Sequence, residues 1–275
     1  RAFFRRRGFL EVATPAAVRC PGMEPYLRAH ALVGQRDMWL RTSPELALKR
    51  LLAGGAERIF EIARVFRAEE SGSWHLPEFD LLEWYRAYDG LEAIAADCEA
   101  LLARVAAHAG LDPRTAVSGV DLSPPFLRVT VREAVKLRTG LDLAELREPG
   151  AFAAAVRRRG QRPLPDDDWD TIFFRLWTAE VEPQLGHGRP ALVFDYPASQ
   201  AALARVRPDP LWPVAERFEL YVKGIELANA FHELNDPAEQ RRRHLADREA
   251  RRRLGTAVYP LDEAFLAALE AGMPP

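Results

Sequence analysis

The chain has 275 residues, 48% hydrophobic and 28% charged, enough to bury one large core or two modest ones. Lys and Arg number 38 against 40 Asp and Glu, a formal net charge of −2 at pH 7, so contact with a polyanion would rest on a local patch and not on the whole surface. Only Cys20 and Cys98 are present, outside any metal-ligand spacing; no apolar run reaches membrane-spanning length and no signal peptide is visible, so a reducing cytoplasmic setting without membrane partners is expected.

Residues 1–7 read as the tail of a helix, Gly8 as its left-handed cap and residues 9–12 as a short strand. Ser43 followed by Pro44 predicts an N-cap and first helical position, opening a helix to about Leu52 that Gly54-Gly55 ends. On spacing alone, Glu45 is a first-turn carboxylate suited to the helix dipole. Residues 60–66 and 80–88 are β-prone and flank a loop rich in Ser, Gly and Pro, which predicts a hairpin with a long, functional loop.

Asp89-Gly-Leu-Glu92 has capping-box spacing, and the helix it opens carries apolar residues at Leu91, Ile94, Leu101 and Val105. Residues 110–170 mix Pro, Gly and charge around a helical stretch at 151–158, and Asp166-Asp-Asp168 precedes an amphipathic run at 172–181. Lys223-Gly224 reads as a tight turn between strands at 218–222 and 225–233. Arg241-Arg-Arg243 and Arg251-Arg-Arg253 lie on one helical stretch, either a solvated helix or a basic docking surface.

Two constellations carry chemistry. A period of two sets Leu81, Glu83 and Tyr85 on one strand face, and Arg67 and Glu69 repeat that spacing in the preceding strand. Such a face offers carboxylates and a phenol to an ammonium and a guanidinium to an anion; a salt-bridge ladder across a surface hairpin explains the same spacing. Pairing about Lys223-Gly224 opposes Val222 to Ile225 and Tyr221 to Glu226, which makes Glu219 and Glu226 diagonal neighbours roughly 7 Å apart. They repel unless a cation sits between them. A pair of exposed strand carboxylates is the alternative.

The residues then carry a resemblance. Phe66-Arg67-Ala68-Glu69, His75-Leu76-Pro-Glu-Phe79 and Leu82-Glu83-Trp-Tyr85 resemble motif 2 of class II aminoacyl-tRNA synthetases, in the lysyl-tRNA synthetase subgroup. Gly8-Phe-Leu-Glu-Val-Ala-Thr-Pro15 is similar to the end of motif 1, and Thr42-Ser43-Pro44-Glu45 to the family's turn for the substrate α-amino group. Glu216-Arg-Phe-Glu219 and the run Gly224-Ile-Glu226-Leu227-Ala-Asn229-Ala-Phe-His-Glu233 resemble its metal- and lysine-binding strands. Within that group, Tyr196-Pro-Ala-Ser-Gln-Ala-Ala-Leu203 and Phe231-His-Glu-Leu234 resemble the elongation factor P β-lysine ligases, paralogues without an anticodon-binding domain.

The resemblance implies an α+β fold, an antiparallel sheet flanked by helices, forming one catalytic domain over residues 1–275 and a homodimer through motif 1. It implies activation of lysine or β-lysine by ATP and Mg²⁺ as an adenylate, then transfer to a lysine of elongation factor P, with tRNA as the alternative acceptor. Carried over residue by residue, Arg67 and Glu226 are catalytic. Ser43, Pro44, Glu45, Glu83, Tyr85, Asn229 and Glu233 bind the amino acid. Arg67, Ala68, Glu69, His75, Leu76, Phe79, Glu226 and Leu227 hold ATP, with Phe79 on adenine. Glu219 and Glu226 hold the metal.

Strict alternation puts Asn229 and Glu233 on the face opposite Glu226, so these roles require a bulge near residues 227–230. Leu76 stands where the family usually has Asn, and Ala230 where it has Gly. The chain starts at Arg1 and stops where motif 3 is expected, so a truncated domain is the expectation. A non-catalytic amino-acid-binding regulator is the rival from another class.

Overall fold

The computed structural model describes residues 1–69, 72 and 74–275; within the predicted loop, Glu70, Ser71 and Ser73 lie outside the described residues. The chain divides into two compact units, Arg1–Asp89 with Leu234–Pro275, and Gly90–Glu233.

The first unit opens with α1 (Ala2–Arg6), and Gly8 follows it at φ 78°, the left-handed geometry that glycine adopts without a Cβ clash. Next come β1 (Leu10–Glu11), β2 (Ala17–Val18), β3 (Trp39–Leu40), α2 (Glu45–Ala53), β4 (Arg58–Phe66) and β5 (Glu78–Arg86). β1 runs parallel to β4 and β4 antiparallel to β5, while β2 and β3 form a separate ribbon. The register of the hairpin sets Glu61 opposite Glu83 and Ile59 opposite Tyr85. Arg67 and Glu69 therefore lie beyond the end of β4, not within it as the two-residue spacing suggested.

The second unit holds α3 (Leu91–His108), β6 (Leu127–Thr130), α4 (Val131–Thr139), α5 (Pro149–Arg158), α6 (Trp169–Leu176), β7 (Ala191–Pro197), β8 (Val206–Arg207), β9 (Val214–Val222) and β10 (Ile225–Phe231). Its sheet runs β10-β9-β7-β6, with β8 beside β9; β6 and β7 are parallel and the other pairs antiparallel. Lys223 and Gly224 both take positive φ, 52° and 73°, the geometry of the tight hairpin turn that the dipeptide predicted. The chain then returns to the first unit as α7 (Pro237–Arg253) and α8 (Glu263–Gly272), where α8 packs on α2 through Leu48, Leu52, Phe265 and Leu269.

One local expectation is corrected and two are refined. The capping box forms at Thr130 and Glu133 on α4, whereas α3 begins at an N-cap Gly90 without a side-chain cap; Asp89 pairs instead with Arg86 at 3.2 Å. The inward side of α3 is built from Ala95, Cys98 and Ala106, and Val105 is 56% exposed. Small side chains let the helix approach β9 and β10 closely, a preference that counting large apolar residues misses. On α7, Arg251 is fully buried, Arg242 and Arg243 pair with Glu239 and Arg252 with Glu249 on the same helix, and Arg241 pairs with Glu263 of α8, so five of the six arginines in the two runs are buried or ion-paired.

Gly186 shows where the backbone tolerates no side chain. At φ +70° a Cβ there would fall 2.3 Å from the Tyr221 carbonyl oxygen. Gly186→Ala is expected to cost about 2–3 kcal/mol in urea unfolding, combining overpacking with left-handed strain. Gly188→Ala, at φ +77° with open space around it, serves as control and is expected to cost only about 1 kcal/mol.

Candidate active site

In the first unit the hairpin and the start of α2 bring four predicted residues together. Ser43 Oγ accepts from the Glu45 amide at 3.0 Å, holding the first turn of α2, and donates to Glu83 Oε2 at 2.9 Å. The assigned cap is Pro44, one residue later than the sequence suggested, although the Ser43 hydroxyl does the capping chemistry. Tyr85 donates its phenol to Glu83 Oε1 at 2.7 Å. Glu45 is more than a first-turn charge: the buried Lys49 ammonium donates to its Oε1 at 2.6 Å, an i,i+4 pair visible in the sequence but not singled out there.

Burial, and then the charge of Glu45, push the Glu83 carboxyl up to about 8, while the Tyr85 and Ser43 hydroxyls and Lys49 favour its ionised form. With a folded-state value above the ordinary 4.5, Glu83 binds its proton more tightly in the folded than in the unfolded chain. Its stabilising contribution is therefore full below about pH 4.5 and is lost as pH rises through about 8. The urea midpoint of the ligand-free protein minus that of Glu83→Gln is expected to fall across this window. A cationic ligand holds the carboxylate ionised, so binding of a ligand that places an ammonium on Glu83 is expected at pH 6.5 to release close to one proton, read from calorimetric enthalpies in buffers of differing ionisation heat. Proton release that persists in Glu83→Gln would assign it elsewhere.

The motif-2 loop side is more exposed. Arg67 Nε donates to the Thr42 carbonyl at 3.4 Å, and its guanidinium lies 5.3 Å from the centre of the Phe79 ring. Ala68 donates its amide to the Arg28 carbonyl at 2.7 Å, and Glu69, at φ 67°, forms an ion pair with Arg28. His75 and Leu76 are exposed. The salt-bridge-ladder reading of the hairpin applies to its other face, where exposed Arg64 pairs with Glu78 and Asp80. It does not apply to Glu83.

In the second unit, β10 shifts register between Glu226 and Ala228, within the span where the sequence required a bulge. Leu227 absorbs the extra residue. Glu226 consequently lies opposite Tyr221 and Asn229 opposite Glu219, on one sheet face with Phe231 opposite Arg217. Glu233, two residues past Phe231, keeps that parity and bridges to Ala204.

Glu219 departs from the expectation of a carboxylate that demands a metal. Arg217 pairs with its Oε1, and the Tyr196 and Tyr221 phenols both donate to its Oε2. A fixed cation and two hydroxyls occupy three of the acceptor positions of this carboxylate, so its charge is compensated without a metal, and one position on Oε1 remains for a ligand cation. Arg217 and Tyr196 stand in the sequence only as members of the runs that carry the resemblance, because nothing in their spacing marks them as partners of Glu219.

A cavity of about 530 Å³ in this unit opens on the other sheet face, lined by Glu216, His232, Asp195, Arg207 and Arg128 among others. None of the predicted site residues lines it. Among the described residues no helix is long and apolar enough to cross a membrane.

Residues 1–275 match the model of the class II tRNA synthetases (D, K and N) over their full length. The chain belongs to the class II tRNA synthetase family. Similar proteins include the elongation factor P–(R)-β-lysine ligase of Haemophilus influenzae (strain PittGG), 40% identical, and that of Vibrio cholerae serotype O1 (strain ATCC 39315 / El Tor Inaba N16961), 38% identical. All of this chain is covered in both cases, and 82% of each relative. The lysine–tRNA ligase of Pelotomaculum thermopropionicum is 39% identical over all of this chain and 55% of that protein. The class II synthetase fold is thus α+β, with sheets that are mainly antiparallel but include two parallel pairs, β1 with β4 and β6 with β7.

Proposed function

We propose that the protein is an ATP-dependent ligase that activates lysine or (R)-β-lysine and passes the acyl group to a lysine side chain of elongation factor P. The observation that carries this reading is the half-buried Glu83, bridged by Ser43 and Tyr85 and raised by burial and Glu45. A carboxylate kept in that setting is complementary to an ammonium, and a substrate lacking the charge leaves it uncompensated. The similarity to elongation factor P–(R)-β-lysine ligases at about 40% identity supports the acceptor.

In the first step a substrate carboxylate oxygen attacks the α-phosphorus of ATP, and the bond from that phosphorus to the bridging oxygen of pyrophosphate breaks. Arg67 neutralises the carboxylate and α-phosphate, Glu69 and His75 hold ATP, and Phe79 packs on adenine. Ser43, Pro44 and Glu45 frame the amino group near the carboxyl end. Glu83 and Tyr85 serve the distal ammonium. Positioning and charge stabilisation carry the step. The acceptor amine then displaces AMP from the acyl carbon. The work is cytoplasmic, performed by a homodimer joined through α1 and β1.

The test is exchange of pyrophosphate into ATP, dependent on lysine or (R)-β-lysine, followed by transfer of labelled amino acid to elongation factor P or to tRNA. Exchange with label on elongation factor P is expected. Label on tRNA instead would make the protein a lysine–tRNA ligase, and binding of the amino acid without exchange would make it a regulator.

A further inference from the structure

Glu24 belongs to no run that the sequence marked, yet it lies among the groups of the first-unit site. Its Oε2 is buried without a hydrogen-bond partner among the described residues. The surroundings oppose its charge: burial raises the carboxyl above its ordinary range, then Glu45 and Asp247 add to the rise, and Arg67 counteracts them. Gly22 comes so close that a Cβ on it would fall 2.6 Å from Glu24 Oε2 and 3.0 Å from Thr42 Oγ1.

The backbone that carries this side chain is held firmly. Fully buried Arg251 donates from Nη1 to the Glu24 carbonyl at 2.6 Å and the Leu27 carbonyl at 2.9 Å, and from Nε to the Ala257 carbonyl at 2.6 Å. Its guanidinium lies 4.1 Å from the centre of the Tyr259 ring, and the Tyr259 hydroxyl accepts from the Ala29 amide at 3.0 Å. A clamp of this kind directs a costly carboxylate oxygen to one place. Folding alone does not reward that, because a buried acceptor without a donor costs free energy that glutamine or an apolar residue would save.

We propose that Glu24 is a further carboxylate of the amino acid site, sharing with Glu45 the amino group nearest the substrate carboxylate. The inference rests on the reading of the site as one for a diamino acid, and it divides the recognition. Glu83 and Tyr85 take the distal ammonium, and Glu24 with Glu45 takes the proximal one. Two carboxylates around the proximal amine suit an amine on either the second or the third carbon, as lysine and β-lysine differ.

The test is calorimetric titration of the whole chain and of Glu24→Gln with lysine, (R)-β-lysine and 6-aminohexanoic acid, which keeps the distal ammonium and lacks the proximal one. Melting temperatures are taken on the same samples. Glu24→Gln is expected to weaken lysine and β-lysine binding about 10- to 100-fold, the range of a hydrogen bond to a charged group, and to leave 6-aminohexanoic acid nearly unchanged. Its ligand-free melting temperature is expected to equal or exceed that of the parent, because the repulsion from Glu45 and Asp247 is relieved. Undiminished lysine binding by Glu24→Gln, an equal loss for all three ligands, or a fall in melting temperature would each overturn the inference. Failure of the parent chain to bind either diamino acid would instead overturn the functional reading itself.

Discussion

Arg67→Ala is expected to reduce lysine-dependent pyrophosphate exchange by roughly 10²–10³-fold or more, the scale set by removing one preorganised donor from a developing charge. Arg67 follows directly on β4, is oriented by the Thr42 carbonyl, and lies beside Phe79. It also counteracts the charge of Glu24. The proposed step brings a substrate carboxylate up to a polyanionic triphosphate, and in that reading this guanidinium offsets both. Arg67→Lys keeps the charge but loses the planar fork, so it is expected to recover only part of the rate. Unchanged melting temperatures would separate the effect from unfolding. Exchange within a few-fold of the parent would remove Arg67 from the mechanism.

Arg41→Ala is expected to lower stability by about 3–5 kcal/mol, the cost of leaving a buried charge without its partner. Arg41 Nη2 lies 2.8 Å from Glu61 Oε1, and both side chains are 5% exposed. The rest of the guanidinium donates to the Arg64 carbonyl at 2.9 Å, the Thr14 carbonyl at 2.9 Å and Thr14 Oγ1 at 2.6 Å. Thr14 in turn donates from its amide and hydroxyl to Glu61 Oε2, at 3.2 and 2.7 Å, which closes the network. Glu61 also stands directly opposite Glu83 in the hairpin, so stripping its cation leaves two facing carboxylates in one buried strand pair. The double change Arg41→Met with Glu61→Leu is expected to recover much of the loss, because it removes both charges and fills the space. Urea unfolding measures both variants. A cost below about 1 kcal/mol for Arg41→Ala would show that water reaches Glu61.

The hairpin of β4 and β5, the turn at Lys223-Gly224 and the bulge in β10 were all legible before any coordinates. Each is local, set by alternation, by turn chemistry, or by a conflict between alternation and the roles that the resemblance assigned. The inward side of α3 was less legible, since Ala95, Cys98 and Ala106 give a weak apolar signal and acquire their meaning only from the sheet against them. The arginine runs of α7 left two readings open for a related reason. Charge counts do not distinguish an arginine in solvent from Arg251, which is buried against Tyr259 and three backbone carbonyls.

By itself the sequence determined the class of the protein and which residues deserve attention, because these reside in short runs whose spacing survives in one dimension. Only the tertiary structure decided the charge states and partnerships on which chemistry depends. It set Lys49 on Glu45 and raised Glu83 by burial. It also satisfied Glu219 with Arg217, Tyr196 and Tyr221 and left Glu24 with a buried oxygen unmet among the described residues. Hydrogen-bond donors and desolvation act through space over a few ångströms, and the groups that supply them here come from segments far apart in the chain.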